Sequence, residues 1–107
     1  MPESRSRYFI VEINGCPLLC YSIPELLDEL KRTYAAEYYG ADIGSVRVFE
    51  WHTDGIIELH ITNSRPAEFD ATDYAYPQWS VSKTIDVLGI KFTTHVGSFY
   101  IQIDGRA

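Results

Sequence analysis

Hydrophobic and polar positions along this chain switch between a two-residue and a 3.6-residue period, and each switch marks an element. Tyr8 to Ile13 is rich in β-formers and alternates weakly. Asn14-Gly15 follows, then a second apolar run, Cys16 to Cys20. Asn-Gly between apolar runs signals a two-residue hairpin turn, because both turn positions need positive φ. Such a turn pairs Ile13 with Cys16, Val11 with Leu18 and Phe9 with Cys20, placing these six residues on one face. Pro17 then opposes Glu12 with its missing N–H directed away from the first strand. A third strand has no donor there, so the second strand is predicted to lie at a sheet edge.

Ser22-Ile23-Pro24-Glu25 reads as a capping box. Ser22 accepts from the third amide of a helix, Glu25 reaches back, and Pro24 sits in the first turn where no N–H is needed. Ile23, Leu26, Leu27, Leu30, Tyr34 and Tyr38 recur at helical spacing and form an apolar stripe. Glu25, Asp28, Glu29, Arg32 and Glu37 occupy the opposite face, and Gly40 is placed to end the helix. The spacing predicts a helix over 23–39.

Val46 to Trp51 and Ile56 to Thr62 read as a second hairpin around His52-Thr53-Asp54-Gly55. A two- or four-residue loop keeps Val46, Val48, Ile57, Leu59 and Ile61 on one face. Arg47, Phe49, Trp51, Ile56, Glu58 and His60 share the other. Large aromatics beside charged groups suit either a surface covered by a further layer or one that meets a partner. Residues 63–78 then show neither period. Long irregular segments in compact domains are often functional. This one mixes Glu68, Asp70 and Asp73 with Phe69, Tyr74 and Tyr76, so it reads as an acidic, aromatic recognition loop, with a packed connector as the alternative.

Toward the end, Ile90 to Thr94 and Ser98 to Asp104 suggest a third hairpin around His95-Val96-Gly97, pairing Phe92 with Ile101 and Ile90 with Ile103. Trp79 to Leu88 fits both periods, and its β-branched Val81, Thr84, Ile85 and Val87 favour a strand. The expected architecture is a single α+β domain spanning 1–107. One amphipathic helix packs on a mostly antiparallel sheet of about six to seven strands, in the order β-β-α-β-β-loop-β-β-β.

The 107 residues suffice for one hydrophobic core. An aromatic share of 14% opposes intrinsic disorder. No apolar run approaches the roughly 18 residues of a membrane helix, and no secretory leader pattern is evident, which points to a cytoplasmic protein without membrane contact. Cys16 and Cys20 on one strand would lie about 13 Å apart, beyond disulfide reach, and are expected to be buried free thiols. Net charge is −6, and residues 24–80 alone carry eleven acids against four bases. Three lysines and no basic cluster disfavour direct nucleic-acid binding, which neutralises phosphates with grouped Lys and Arg.

Chemistry-bearing motifs are sparse. There is no Gly-x-Ser-x-Gly, no glycine-rich loop before a helix, and no cysteine in a recognisable catalytic context. His52, His60 and His95 show no ligand spacing with Cys16 or Cys20, so no metal or cofactor is assigned. Glu50, Asp54, Glu58, Glu68, Asp70 and Asp73 are numerous enough for a close pair to arise by chance, and no catalytic residue is assigned.

In size and charge the chain resembles small acidic inhibitors of nucleic-acid-handling proteins, such as immunity proteins and phage anti-CRISPR proteins, although no family motif accompanies the likeness. The expectation is a non-enzymatic module that docks on the basic surface of another protein. Glu68, Phe69, Asp70, Asp73, Tyr74, Tyr76, Phe49, Trp51 and Glu58 would form the contact. The alternatives are a small enzyme or ligand-binding domain with a pocket between helix and sheet, and a homodimer closed through the Phe49 and Trp51 face.

Overall fold

A computed structural model describes residues 7–63 and 78–101. Asn14 (φ 53°) and Gly15 (φ 88°) both take the left-handed conformation. They close a hairpin between β1 (Arg7–Ile13) and β2 (Cys16–Cys20). The register is the one expected from the turn, with Phe9 opposite Cys20, Val11 opposite Leu18 and Glu12 opposite Pro17. β2 is an edge strand, as Pro17 requires.

Helix α1 (Ile23–Tyr38) starts where the capping box places it. The Glu25 amide donates to Ser22 Oγ at 3.2 Å, and the Glu25 carboxylate reaches back to accept from the Tyr21 amide at 2.8 Å. Gly40 follows the C-cap Tyr39 with φ 108°. Leu26 and Leu30 are fully buried at the centre of the apolar stripe, whereas Tyr38, one turn beyond Tyr34, is exposed. Thr33 is buried beside them and donates its hydroxyl to the Glu29 carbonyl at 2.9 Å.

β3 (Val46–His52) and β4 (Gly55–Asn63) form the second hairpin through the two-residue loop Thr53-Asp54. β5 (Gln78–Val87) and β6 (Ile90–Tyr100) complete an antiparallel sheet in the order β2-β1-β3-β4-β5-β6. The fold is thus α+β, one helix on a six-stranded sheet. Because β3 pairs with β1, α1 carries the chain over β1 between β2 and β3. The core lies between α1 and one sheet face, where Phe9, Val11, Cys20, Val48, Leu59, Val81 and Phe99 meet Leu26 and Leu30.

Although β6 lies at the opposite sheet edge from β2, α1 packs against β1, β2 and β6. Gly97 permits that approach. A Cβ at this position would stand 2.8 Å from Leu27 Cδ1, inside van der Waals contact. Tyr34 and Trp79 stack at 4.9 Å, and Trp79 stacks on Phe99 at 5.4 Å, closing the core beside them.

The last third of the chain differs from its expected pairing. The ambiguous segment is a strand, Gln78–Val87, but Ile90–Tyr100 is one strand rather than two. Phe92 opposes Ile85 and Ile90 opposes Val87, in place of Ile101 and the undescribed Ile103. The turn is Leu88-Gly89, both with positive φ, and the Asp86 carboxylate accepts from the Gly89 amide at 2.9 Å. The His95-Val96-Gly97 stretch instead lies where the register shifts between Val81 and Ser82, which bulges the ladder.

The cysteines are free, but only Cys20 is buried; Cys16 lies exposed beside the first turn. Burial, then the nearby Glu25 and Glu29 carboxylates, push the Cys20 thiol up to about 11. Reaction with a thiol reagent at pH 8 is therefore expected to label one cysteine quickly and the second only on unfolding. Peptide mapping should find the fast label on Cys16. Fast labelling of Cys20 in the folded protein would contradict this packing.

Candidate functional site

The sheet face opposite α1 has no described element packed on it, yet it is not polar. β1 is apolar on both faces: Phe9 and Val11 enter the core, while Tyr8 and Ile10 point the other way. Register aligns these outer residues with their neighbours. Ile10 stands between Leu19 and Phe49, and Phe49 opposes Glu58. In the next row Tyr8 stands beside Trp51, and Trp51 opposes Ile56. Tyr8 and Trp51 stack with centroids 4.9 Å apart, and Tyr21 meets Tyr8 edge-on at 5.4 Å. Aromatic pairs at these spacings hold their rings in a fixed arrangement.

Phe49, Trp51 and Glu58, three of the residues singled out from sequence, therefore do share this surface. Glu58 is not a free charge, however. Its carboxylate accepts from Arg47 Nε at 3.0 Å and Nη2 at 2.9 Å, and the Arg47 guanidinium also lies 5.1 Å from the Phe49 ring centre. The Arg47 hydrogen bonds hold the Glu58 carboxyl below its ordinary value, while Glu58 in turn raises Arg47. Glu68, Phe69, Asp70, Asp73, Tyr74 and Tyr76 lie outside the described residues.

Sequence reasoning passed over Tyr8, Ile10, Leu19 and Tyr21. The available signal was the weakness of the alternation in Tyr8 to Ile13. A strand covered on only one side alternates sharply, whereas this one is apolar at successive positions.

A second constellation lies on the helix side. Glu50 is 2% exposed among core residues, between Phe9 of β1 and Ile57 of β4. Lys83 reaches from β5 to place Nζ 2.8 Å from one carboxylate oxygen, and Arg7 Nη1 lies 3.4 Å from the other. Lys83 is itself largely buried, whereas Arg7 is half exposed. Each oxygen thus faces a cation. The arrangement offsets the cost of a buried carboxylate and ties β3 to β5 across the intervening strand. Among the described residues no three His, Cys, Asp or Glu side chains gather to hold a metal ion. Comparisons with protein-family models, curated proteins and solved structures each find no match.

Two measurements check this geometry. Glu50→Ala strands Lys83 without its counter-charge and is expected to lower urea-unfolding stability by on the order of 3 kcal/mol. Combining Glu50→Leu with Lys83→Met should recover most of the loss. A cost under about 1 kcal/mol, the range of an exposed pair, would remove Glu50 from its structural role. Glu58 behaves differently because its folded pKa is depressed. Its pairing contributes fully above the ordinary carboxylate range and fades as pH falls through the lowered value. The melting temperature of Glu58→Gln should therefore approach that of the parent on acidification, and a gap that widens toward low pH would contradict the pairing.

Proposed function

We propose that the chain is a non-enzymatic protein-binding module, a small acidic inhibitor that docks on the basic surface of another, nucleic-acid-handling protein in the cytoplasm. The supporting observation is the uncovered sheet face. Tyr8, Phe49 and Trp51 stand in two adjacent rows, with Tyr8 stacked on Trp51, and no described element covers them. Aromatic side chains fixed in this way are the usual anchors of protein interfaces. The net charge of −6 supports a basic counterpart, since it favours encounter with positive surfaces and disfavours phosphate backbones. Immunity proteins and phage anti-CRISPR proteins provide the model by size and charge.

The anchors and the charges have separable roles. Trp51 and Phe49 are the contacts whose loss speeds dissociation. The carboxylates of Glu68, Asp70 and Asp73 belong to the acidic stretch that guides association. Rim charges act mainly on association rate and its salt dependence, whereas a buried aromatic acts mainly on dissociation.

Affinity capture from the source cells at low salt, repeated with purified partner, tests the reading. The expected result is a basic protein released by raised salt. Trp51→Ala should weaken binding by at least about tenfold, the scale of an interface hot spot. Reversing Glu68, Asp70 and Asp73 to Lys should slow association with little change in melting temperature. Binding that ignores both salt and Trp51, or a parent chain that captures no basic protein, would reject the proposal.

A further inference from the structure

β4 and β5 pair only from His60 opposite Ser82 to Asn63 opposite Trp79. Beyond Lys83 the two strands of the β5–β6 hairpin pair, among the described residues, only with each other. The molecule is accordingly elongated, measuring 52 × 30 × 27 Å. The two sides of this ribbon are unlike. Thr84, Asp86, Lys91 and Thr93 take one side, where the Thr84 and Thr93 hydroxyls are 3.2 Å apart and Asp86 opposes Lys91. Ile85, Val87, Ile90 and Phe92 form the other, with Ile85 opposite Phe92 and Val87 opposite Ile90. All four are exposed, Ile90 by 60% and Phe92 by 52%.

A two-stranded ribbon is marginal in water unless an apolar face packs on something. Its tip adds a second observation. Leu88 is 96% exposed and holds φ 53°. A left-handed conformation is unfavourable for a residue with a Cβ, and turns normally place Gly, Asn or Asp there. Leucine at this position strains the turn and buries nothing within its own chain. Departures from local rules with no folding benefit concentrate at functional sites.

The geometry points to a second copy of this chain as what covers the ribbon, the apolar faces of two β5–β6 hairpins packing about a two-fold axis with Leu88 at the rim. Charge favours this occupant. Two chains of −6 repel over most of their surfaces, but from Thr84 to Thr94 each ribbon carries one acid and one base and is neutral. A basic partner would find no counter-charge there. Area agrees: Ile85, Val87, Leu88, Ile90 and Phe92 together expose on the order of 500 Å², and two such patches approach the roughly 1,200 Å² at which specific interfaces begin. A contact this small suits a transient association, with monomer prevailing at about 10 µM and dimer toward about 1 mM. Identical patches meeting about a two-fold axis close the assembly at two copies. This surface is distinct from the Tyr8 and Trp51 face.

Sedimentation equilibrium of the full chain from about 10 µM to about 1 mM tests the assignment. The mass is expected to rise from one copy to two and to stop there, with association maintained or strengthened by salt. Ile90→Asp should weaken association at least about tenfold, with Phe92→Ser as the milder variant if the first fails to fold. Thr93→Asp, on the polar side, should leave association unchanged. Far-UV circular dichroism and melting temperature verify folding of each. A constant monomer mass, a dimer that survives Ile90→Asp or Phe92→Ser in folded protein, or one lost with Thr93→Asp would overturn the proposal.

Discussion

One helix must cover one face of a six-stranded sheet. A 16-residue helix is about 24 Å long and roughly 10 Å wide, and six strands spaced at about 4.8 Å span a comparable 24 Å. A flat sheet would leave most of its apolar positions in water. Here α1 touches β1 and β2 near one edge and β6 at the other, and Gly97 lets Leu27 settle directly on β6. Most of the fully buried residues lie within this reach: Phe9 and Val11 of β1, Cys20 of β2, Val48 of β3, Val81 of β5, and Leu26 and Leu30 of the helix, with Glu50 of β3 buried beside them.

Where the helix no longer reaches, the same sheet face takes two other solutions. Glu50 stands next to the core and is neutralised from both sides, so charge pairing takes over from apolar contact. A buried carboxylate is tolerated only with partners close by, and Lys83 and Arg7 arrive from strands on either side of β3. Farther out, the β5–β6 ribbon keeps its apolar side chains and has no cover from its own chain among the described residues. Burial, ion pairing and exposure thus follow one another along one face.

Much of this was legible in local sequence. The Asn14-Gly15 turn, the β2 edge position, the Ser22 cap and the facing parity of β3 and β4 each depend on neighbouring residues. Their chemistry acts over one turn or one strand pair, which is why they read correctly. The final hairpin did not. Gly97 carried a turn signal although its glycine serves the approach of Leu27, and Leu88 gave no turn signal because leucine rarely adopts positive φ. Of the candidate surface, Phe49, Trp51 and Glu58 were found by parity alone. Tyr8 was missed because its contact with Trp51 joins strands separated by the helix, and Tyr21 because it meets Tyr8 across the first hairpin from beyond the end of β2.

Fold class, the helix and its ends, the first two hairpins and the acidic balance can be read along the chain, since periodicity, caps and turn residues are short-range properties. The burial of Glu50 between Lys83 and Arg7, the binding of Glu58 to Arg47 and the gathering of aromatics from separate segments on one sheet face emerge in the folded chain alone. Those outcomes depend on which residues the sheet and helix bring together from distant parts of the chain. Spacing along a strand fixes which side a residue faces, but not what waits for it there.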